Sequence, residues 1–82
     1  MLIDWENFDV TKPFTLPLES TCIFSIEYNP ITFTLTIDFV EGQQYEYHYV
    51  PLFTVIELIR SGSAGRYFNA TIRNYFDYKR LL

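Results

Sequence analysis

The sequence predicts an α+β domain in which a three-stranded antiparallel β-meander is followed by two α-helices packed on one face, in the order β-β-β-α-α. Three observations predict this fold. Apolar and polar residues alternate between residues 22 and 50, which is the period of strands. After Pro51 the apolar spacing changes to that of helices. The 82 residues suffice for one modest hydrophobic core.

The first two predicted strands are defined by this alternation. In residues 22–28, we expect Phe24, Ile26 and Tyr28 to share one face. Asn29-Pro30 is a turn signal. The second strand, residues 32–39, is predicted to place four apolar side chains on one face: Phe33, Leu35, Ile37 and Phe39.

The loop after the second strand decides which face the tyrosines of the third strand take. A three-residue loop with Gly42 left-handed pairs Ile37 with Tyr45 and turns the rings towards the core. A two-residue turn would pair Asp38 with Tyr45 and expose them, because a slip of one residue exchanges the two faces. We favour the first register because it buries the rings. The tyrosines concerned are Tyr45, Tyr47 and Tyr49.

Two helices are predicted after the strands. Pro51 suits the first turn of a helix that continues to about Arg60. Ser63 is placed to cap a second helix that continues into the basic C-terminus. The apolar stripe of the first helix is Leu52, Val55, Ile56 and Ile59. The stripe of the second is Phe68, Ile72, Tyr75 and Phe76.

Composition restricts the cellular setting that we expect. Cys22 is the only cysteine, so we interpret it as a buried, inert thiol in a reduced compartment. No apolar run approaches the ~20 residues of a membrane span. The first residues lack the basic start and long apolar run of a signal peptide. We therefore expect a cytoplasmic protein with no membrane association.

Charge is distributed unevenly along the chain. Residues 1–59 have one Lys and nine Asp/Glu, a net charge of -8, whereas residues 60–82 have five Lys/Arg and one Asp, a net charge of +4. The total of -4 argues against sequence-independent binding to duplex nucleic acid, which requires many cations. The basic end could attract a phosphate, and opposite ends of two copies could attract each other.

Several residues carry a resemblance to a known family. They include Ser20-Thr21, the Tyr45-x-Tyr47 pair, Val50-Pro51 and Ser63-x-Gly65-x-Tyr67-Phe68-Asn69. Over residues 20–82 the chain resembles the KTSC domain, named for its occurrence at the C-terminus of some lysyl-tRNA synthetases and also found as a stand-alone bacterial protein. Thr21 replaces the second Ser of the family's Ser-Ser pair and keeps the hydroxyl. Residues 1–19 lie outside the resemblance and are predicted to form an extended lead-in, whose candidate anchors on the domain or on a neighbouring subunit are Trp5, Phe8, Phe14 and Leu16.

The loop before the second helix is a candidate anion site. Free backbone N–H groups at a helix start favour an anion, and Arg66 and Arg73 could clamp it. Arg66, Arg73 and Arg80 are seven residues apart and are expected on one side of the helix. The alternative is an ordinary helix–helix turn. The candidate ligand-binding residues are Ser63, Gly65, Arg66, Tyr67, Asn69, Arg73, Lys79 and Arg80, with Tyr78 as a further stacking ring.

The remaining patterns favour structural interpretations. The tyrosines of the third strand could stack on bases, but that strand has no Arg or Lys, which favours core packing. His48 is the only histidine and has no metal-ligand spacing, so no metal or other cofactor is expected.

Attachment to a tRNA synthetase implies an RNA-binding role for the resembled family. We therefore predict a binding module without enzymatic activity, for RNA or another phosphate-bearing nucleotide ligand. The alternative is a protein-interaction or homo-oligomeric assembly module.

Overall fold

The computed structural model describes residues 8–82, which form an α+β domain built on an antiparallel sheet of five strands. The strands follow each other in space in chain order. They are β1 (Phe14–Pro17), β2 (Ile23–Asn29), β3 (Thr34–Phe39), β4 (Gln44–Tyr47) and β5 (Tyr78–Arg80). The predicted meander corresponds to β2, β3 and β4, and the prediction of only three strands was wrong. The two additional strands have four and three residues, too few to show a period.

The helical part is shorter than predicted. Helix α1 spans Leu52–Arg60, and helix α2 spans Ala64–Tyr67 and continues directly into a π-helical turn over Phe68–Ile72. The expectation that this helix continues into the basic C-terminus was wrong. The backbone beyond it pairs with β4, with Arg80 opposite Tyr45, so tertiary hydrogen bonding overrides the helical spacing.

The hairpin between β3 and β4 has the favoured register. Ile37 lies opposite Tyr45, and Gly42 has a φ of 106°, which glycine adopts without strain. Tyr47 is consequently buried. Tyr49 does not follow the strand, because its φ is 57° and its side chain is 78% exposed. The prediction that it shares the face of Tyr45 was therefore wrong.

A register shift in β2 alters the predicted face of its first residues. Ile23 lies opposite Phe39, whereas Ser25 lies opposite Asp38, so Phe24 is the extra residue of a β-bulge. A bulge reverses the alternation of side chains locally. As a result Ile23 is buried and Phe24 is 65% exposed, which corrects its predicted place in the core.

The described part of the N-terminal region belongs to the sheet. β1 pairs with β2, and Leu16 is buried in the core. The rings of Phe8 and Phe14 are 4.9 Å apart, and the Phe14 ring is 5.8 Å from that of Tyr28. Three of the four predicted anchors therefore pack on their own domain. The fourth, Trp5, lies outside the described residues.

The core forms between the sheet and α1. It includes Ile26, Ile37, Val55 and Leu58, all fully buried. The stripe predicted for α1 is close to the observed one, although Leu58 and Thr54 lie deeper than the predicted Ile56 and Ile59.

A buried hydrogen bond joins β2 to the start of α1, and its removal gives a first prediction. The Tyr28 hydroxyl donates to the Val50 carbonyl at 2.6 Å. We expect Tyr28→Phe to lower the free energy of unfolding by about 1–3 kcal/mol, because the carbonyl loses its partner in a buried place. Urea denaturation measures this loss. Tyr49→Phe removes the same atom from an exposed ring and should change stability little, so equal losses would contradict the assignment.

Candidate functional site

A cavity of about 550 Å³ opens between the β4–β5 part of the sheet and the π-helical turn. This volume is within the usual range for small-molecule sites, about 300–1,000 Å³. Aromatic rings form much of its wall, and amide and charged side chains add polar groups to it. The aromatic residues are Phe39, Tyr45, Tyr47, Phe68 and Tyr78. The polar residues include Glu41, Gln43, Asn69, Arg73 and Asn74.

Three tyrosine rings lie together on the sheet side of the cavity. The centroid of the Tyr78 ring is 5.6 Å from that of Tyr45 and 5.7 Å from that of Tyr47. The cross-strand pairing of β4 with β5 causes this arrangement, because Tyr78 lies directly opposite Tyr47. Flat aromatic faces at a partly open cavity can stack on planar ligands.

The π-helical turn supplies the cationic side of the cavity. The Arg73 amide donates to the Phe68 carbonyl, five residues earlier, at 2.9 Å. Such single π turns are frequent at functional sites. The Arg73 guanidinium donates to the Asn69 side chain at 3.3 Å, and no carboxylate among residues 8–82 forms an ion pair with it. Its charge is therefore available to a ligand.

Tyr47 is part of the cavity wall, although only 4% of this residue is exposed. Burial raises the pKa of Tyr47 above its usual value, and the Arg73 guanidinium partly opposes that increase. The phenol therefore stays protonated at neutral pH and can donate a hydrogen bond to a ligand.

Two of the predicted ligand-binding residues lie in this cavity, and Arg80 lies beside it. Asn69 and Arg73 are part of its wall. The Arg80 guanidinium carbon is 5.8 Å from the centre of the Tyr45 ring, and its Nε donates to the Leu82 carbonyl at 2.9 Å. Lys79 lies opposite Glu46, and since side chains alternate along a strand it faces the other side of the sheet.

The loop at the start of α2 has only part of its predicted role. Ser63 caps the helix as predicted, since its hydroxyl accepts the Arg66 amide at 3.3 Å. Ser63, Gly65 and Arg66 are not part of the cavity wall. Tyr67 is not part of the cavity wall either. Burial and the Glu57 carboxylate of α1 both raise the pKa of Tyr67. The expected alignment of Arg66, Arg73 and Arg80 on one helix was wrong, because Arg80 belongs to β5.

Gly65 allows α2 to approach the turn before β2. A Cβ at this position would be 2.5 Å from the Cys22 sulfur, closer than side chains tolerate. Cys22 itself is exposed and borders the cavity together with Thr21. The expectation that Cys22 is buried was therefore wrong, because the bulge in β2 turns Ile23 inward and leaves Cys22 in the preceding turn.

From the sequence, the tyrosines of β4 were interpreted as core residues, because their own strand carries no Arg or Lys. The cations come instead from outside β4: Arg80 through strand pairing and Arg73 through the π-helical turn. The Tyr45-x-Tyr47 spacing is the signal that could have located the site. It could not show which distant residues lie beside the rings.

The described residues contain no arrangement typical of a metal centre. No three His, Cys, Asp or Glu side chains between residues 8 and 82 are placed to hold a metal ion. His48 hydrogen-bonds Glu46 at 2.9 Å. Within the same part of the chain, no helix is long and apolar enough to cross a membrane.

The fold and the site together define a small α+β domain with an aromatic, partly cationic cavity. The family model for the KTSC domain matches residues 19–76, and the chain belongs to this family. The crystal structure of a KTSC domain protein from Yersinia pestis is similar, with a TM-score of 0.79 and 30% identity, covering 85% of this chain and 99% of that one.

Similarity to larger proteins is confined to a segment of them. The chain is 39% identical over 74 residues to a lysine–tRNA ligase of Nostoc sp. strain PCC 7120. It is 38% identical over 74 residues to that of Trichormus variabilis. The match covers 90% of this chain in both cases, but the chain spans only 12% of the length of these relatives.

Proposed function

We propose that this domain is a binding module without enzymatic activity, and that its cavity holds one unpaired nucleotide of an RNA strand or a free nucleotide. The observation that carries the proposal is the convergence around one cavity of three tyrosine rings and the Arg73 guanidinium, which forms no ion pair with any of residues 8–82. A base would stack on a tyrosine ring, and a phosphate would pair with the guanidinium.

Local charge supports a ligand with few phosphates. Arg73 and Arg80 lie at or beside the cavity, and Glu41 is part of its wall. The net charge of the chain is -4, which disfavours long tracts of phosphate contacts. Asn69, Asn74 and Gln43 add amide groups that can hydrogen-bond the edge of a base.

The relatives support RNA over other phosphate-bearing ligands. The matched ligases are named for an enzyme that acts on tRNA, and a segment similar to this chain is part of each. A shared segment that makes up only 12% of such an enzyme fits an accessory RNA contact. The catalytic activity of those ligases belongs to proteins about eight times longer than the segment matched here.

Replacing Arg73 tests the proposal directly. We expect Arg73→Ala to weaken the binding of a fluorescein-labelled single-stranded RNA by about tenfold at low salt, because a charge-assisted contact to phosphate is lost. Fluorescence anisotropy measures the dissociation constant. A parallel competition with unlabelled mononucleotides shows whether the cavity binds a free nucleotide or requires an RNA strand.

Arg60→Ala is the matched control for this experiment. Arg60 is exposed at the end of α1 and is not part of the cavity wall, but its removal changes the net charge equally. We expect it to weaken binding much less than Arg73→Ala. Equal losses would show that only overall charge matters, and no measurable binding by the unaltered domain would refute the proposed function.

A second candidate function is self-association, favoured by a group of exposed rings on another part of the domain. Phe53 is 71% exposed and Tyr49 is 78% exposed, and the Val50 amide hydrogen-bonds the Phe33 carbonyl beside them. Phe33 and Tyr49 both have positive φ, which is rare for bulky residues and is often retained for function. The acidic residues 1–59 of one copy and the basic residues 60–82 of another would also attract each other.

Light scattering of the unaltered domain and of Tyr49→Ser/Phe53→Ser tests self-association. An unaltered domain of monomer mass at all concentrations would exclude self-association.

A further inference from the structure

The two edges of the sheet differ in how far their backbone is open to another strand. β1 and β5 are the outermost strands, and no strand among residues 8–82 pairs with the outer side of either. In an antiparallel ladder, the amide and carbonyl of one residue point to the partner strand and those of the next residue point away. Each edge strand therefore presents the backbone groups of every second residue to solvent.

Prolines close the β1 edge. The Leu18 amide donates to the Phe24 carbonyl at 3.0 Å, so the even-numbered residues of this segment bond to β2. The outward positions of β1 are then Thr15 and Pro17, and Pro13 precedes the strand. Because proline has no N–H, only the Thr15 amide remains to bond a further strand. Prolines at such positions are a usual protection of a sheet edge.

The β5 edge has no such protection. The His48 amide donates to the Asp77 carbonyl at 2.8 Å, so Asp77 and, by alternation, Lys79 face β4. The amides and carbonyls of Tyr78 and Arg80 consequently point outward, and all residues of β5 are exposed. An open edge of this kind can accept an extended chain as a further strand, held by backbone hydrogen bonds.

The side chains around β5 are mainly basic. Residues 73–82 have three Lys/Arg and one Asp, a net charge of +2. No carboxylate in the described part of the chain forms an ion pair with Lys79 or Arg80. Glu46 lies opposite Lys79 but hydrogen-bonds His48. Since side chains alternate along a strand, Arg80 lies on the cavity side of the sheet and Lys79 on the other side. A strand added at this edge therefore meets a cation on each face.

We propose that β5 is a docking edge for an extended acidic peptide segment of a partner protein, which adds a further strand to the sheet. The antiparallel direction is favoured, because every pairing in this sheet is antiparallel. Successive residues of the added strand then lie opposite Arg80, Lys79 and Tyr78. Two carboxylates would pair with the cations, and a β-branched side chain would pack against the tyrosine ring. The order that this edge recognises is acidic, acidic, apolar.

A second copy of the domain fits this edge less well. An antiparallel pairing of two β5 strands that uses all of their residues places the two Lys79 side chains opposite each other, and like charges in that position are destabilising. The β1 edge of another copy offers only one amide between its prolines. The occupant is therefore a chain of different, acidic composition. This inference does not require the cavity to bind a nucleotide.

Nuclear magnetic resonance of the full chain tests the edge with a defined probe, the end-blocked peptide Thr-Thr-Glu-Glu-Val-Thr-Thr. At low salt and saturating peptide, we expect hydrogen exchange of the Tyr78 and Arg80 amides to slow by about tenfold, because both amides become hydrogen-bonded. Chemical-shift changes during the titration measure the dissociation constant. The same peptide with Lys-Lys in place of Glu-Glu should bind much more weakly.

Two pairs of variants separate the backbone from the charge. Arg80→Pro removes both the charge and the outward N–H, whereas Arg80→Ala removes the charge alone. We expect Arg80→Pro to bind the peptide about twofold to tenfold more weakly than Arg80→Ala, as one hydrogen bond would give. Lys79→Glu should weaken binding by about threefold or more, because it places like charges opposite each other. Arg60→Glu changes the net charge equally at the end of α1 and should keep the affinity. Lys79→Glu retains every backbone group, so it still tests the edge if Arg80→Pro disrupts β5.

Each possible result supports or overturns the docking edge. Peptide binding without slower exchange of the Tyr78 and Arg80 amides would refute strand addition, and so would equal affinities of Arg80→Pro and Arg80→Ala. Equal binding of the Lys-Lys peptide would refute the acidic partner. Slowing that needs no peptide and increases with protein concentration would assign the edge to a second copy instead. Slowing by labelled RNA but not by the peptide would assign it to nucleic acid. Absence of RNA binding would refute only the proposed function, since peptide and RNA are titrated separately.

Discussion

Phe68→Ala is expected to lower the free energy of unfolding by about 3–4 kcal/mol, as is typical for deleting a buried phenylalanine ring. Phe68 is only 4% exposed. The centroid of its ring is 5.5 Å from those of both Phe39 and Tyr47, so it connects the helical segment to β3 and β4. Alanine would leave a void in the cavity wall that neighbouring residues can fill only in part. Urea denaturation followed by circular dichroism measures the loss.

Phe53→Ala is the matched control, because it removes the same ring from a position that is 71% exposed. Its effect should stay within about 0.5 kcal/mol, as is usual for surface substitutions. A similar loss in both variants would mean that Phe68 does not hold the helical segment on the sheet. A large loss for Phe68→Ala alone would support the packing described above.

Tyr78→Ala should weaken nucleotide or RNA binding by about tenfold to a hundredfold, if a base stacks on this ring. Removing one stacking aromatic ring costs about 1–3 kcal/mol of binding free energy per base. Tyr78 is 58% exposed, so the variant should stay folded and its loss of affinity should not reflect unfolding. Fluorescence anisotropy with the labelled RNA measures the change.

Two further variants separate stacking from other causes. Tyr75→Ala removes a ring that is 72% exposed and is not part of the cavity wall, so it should bind as the unaltered domain does. Tyr78→Phe keeps the flat ring and should keep most of the affinity. If Tyr78→Phe weakens binding as much as Tyr78→Ala does, the Tyr78 hydroxyl and not the ring contacts the ligand.

The hairpin of β3 and β4 was predictable from the sequence because local rules determine it. Alternation in β3 and Gly42 in the loop together select the register that places Ile37 opposite Tyr45. The Ser63 cap was predictable for the same reason, since it needs only the amide of Arg66 three residues later. These features depend on residues close together in the chain.

The end of the last helix was not predictable in this way. Residues 73–80 keep apolar and basic residues at helical spacing, but Tyr78 and Arg80 pair with residues of β4 that lie 31 and 35 positions earlier. The three-residue strand carries no period of its own. Pairing with an existing sheet edge satisfies its backbone groups, and this gain depends on a surface that only the folded domain provides. The placement of Arg80 and Tyr78 beside Tyr45 follows from that pairing.

Cys22 shows how a single bulge can reverse an interpretation. Its apolar neighbours predicted burial, but the extra residue Phe24 shifts the register so that Ile23 faces the core. The turn before Ile23 then holds the thiol at the surface. A bulge leaves no regular sequence pattern, because any residue can occupy the unpaired position.

The sequence alone determined the α+β class, the three central strands, the first helix and the family resemblance. Periodicity and turn residues act over short distances, and they are sufficient for those features. Only the tertiary structure decided that Arg73 and three tyrosines converge on one cavity, with Arg80 beside it. Their meeting depends on a π-helical turn and a C-terminal strand, whose stability comes from contacts between distant parts of the chain.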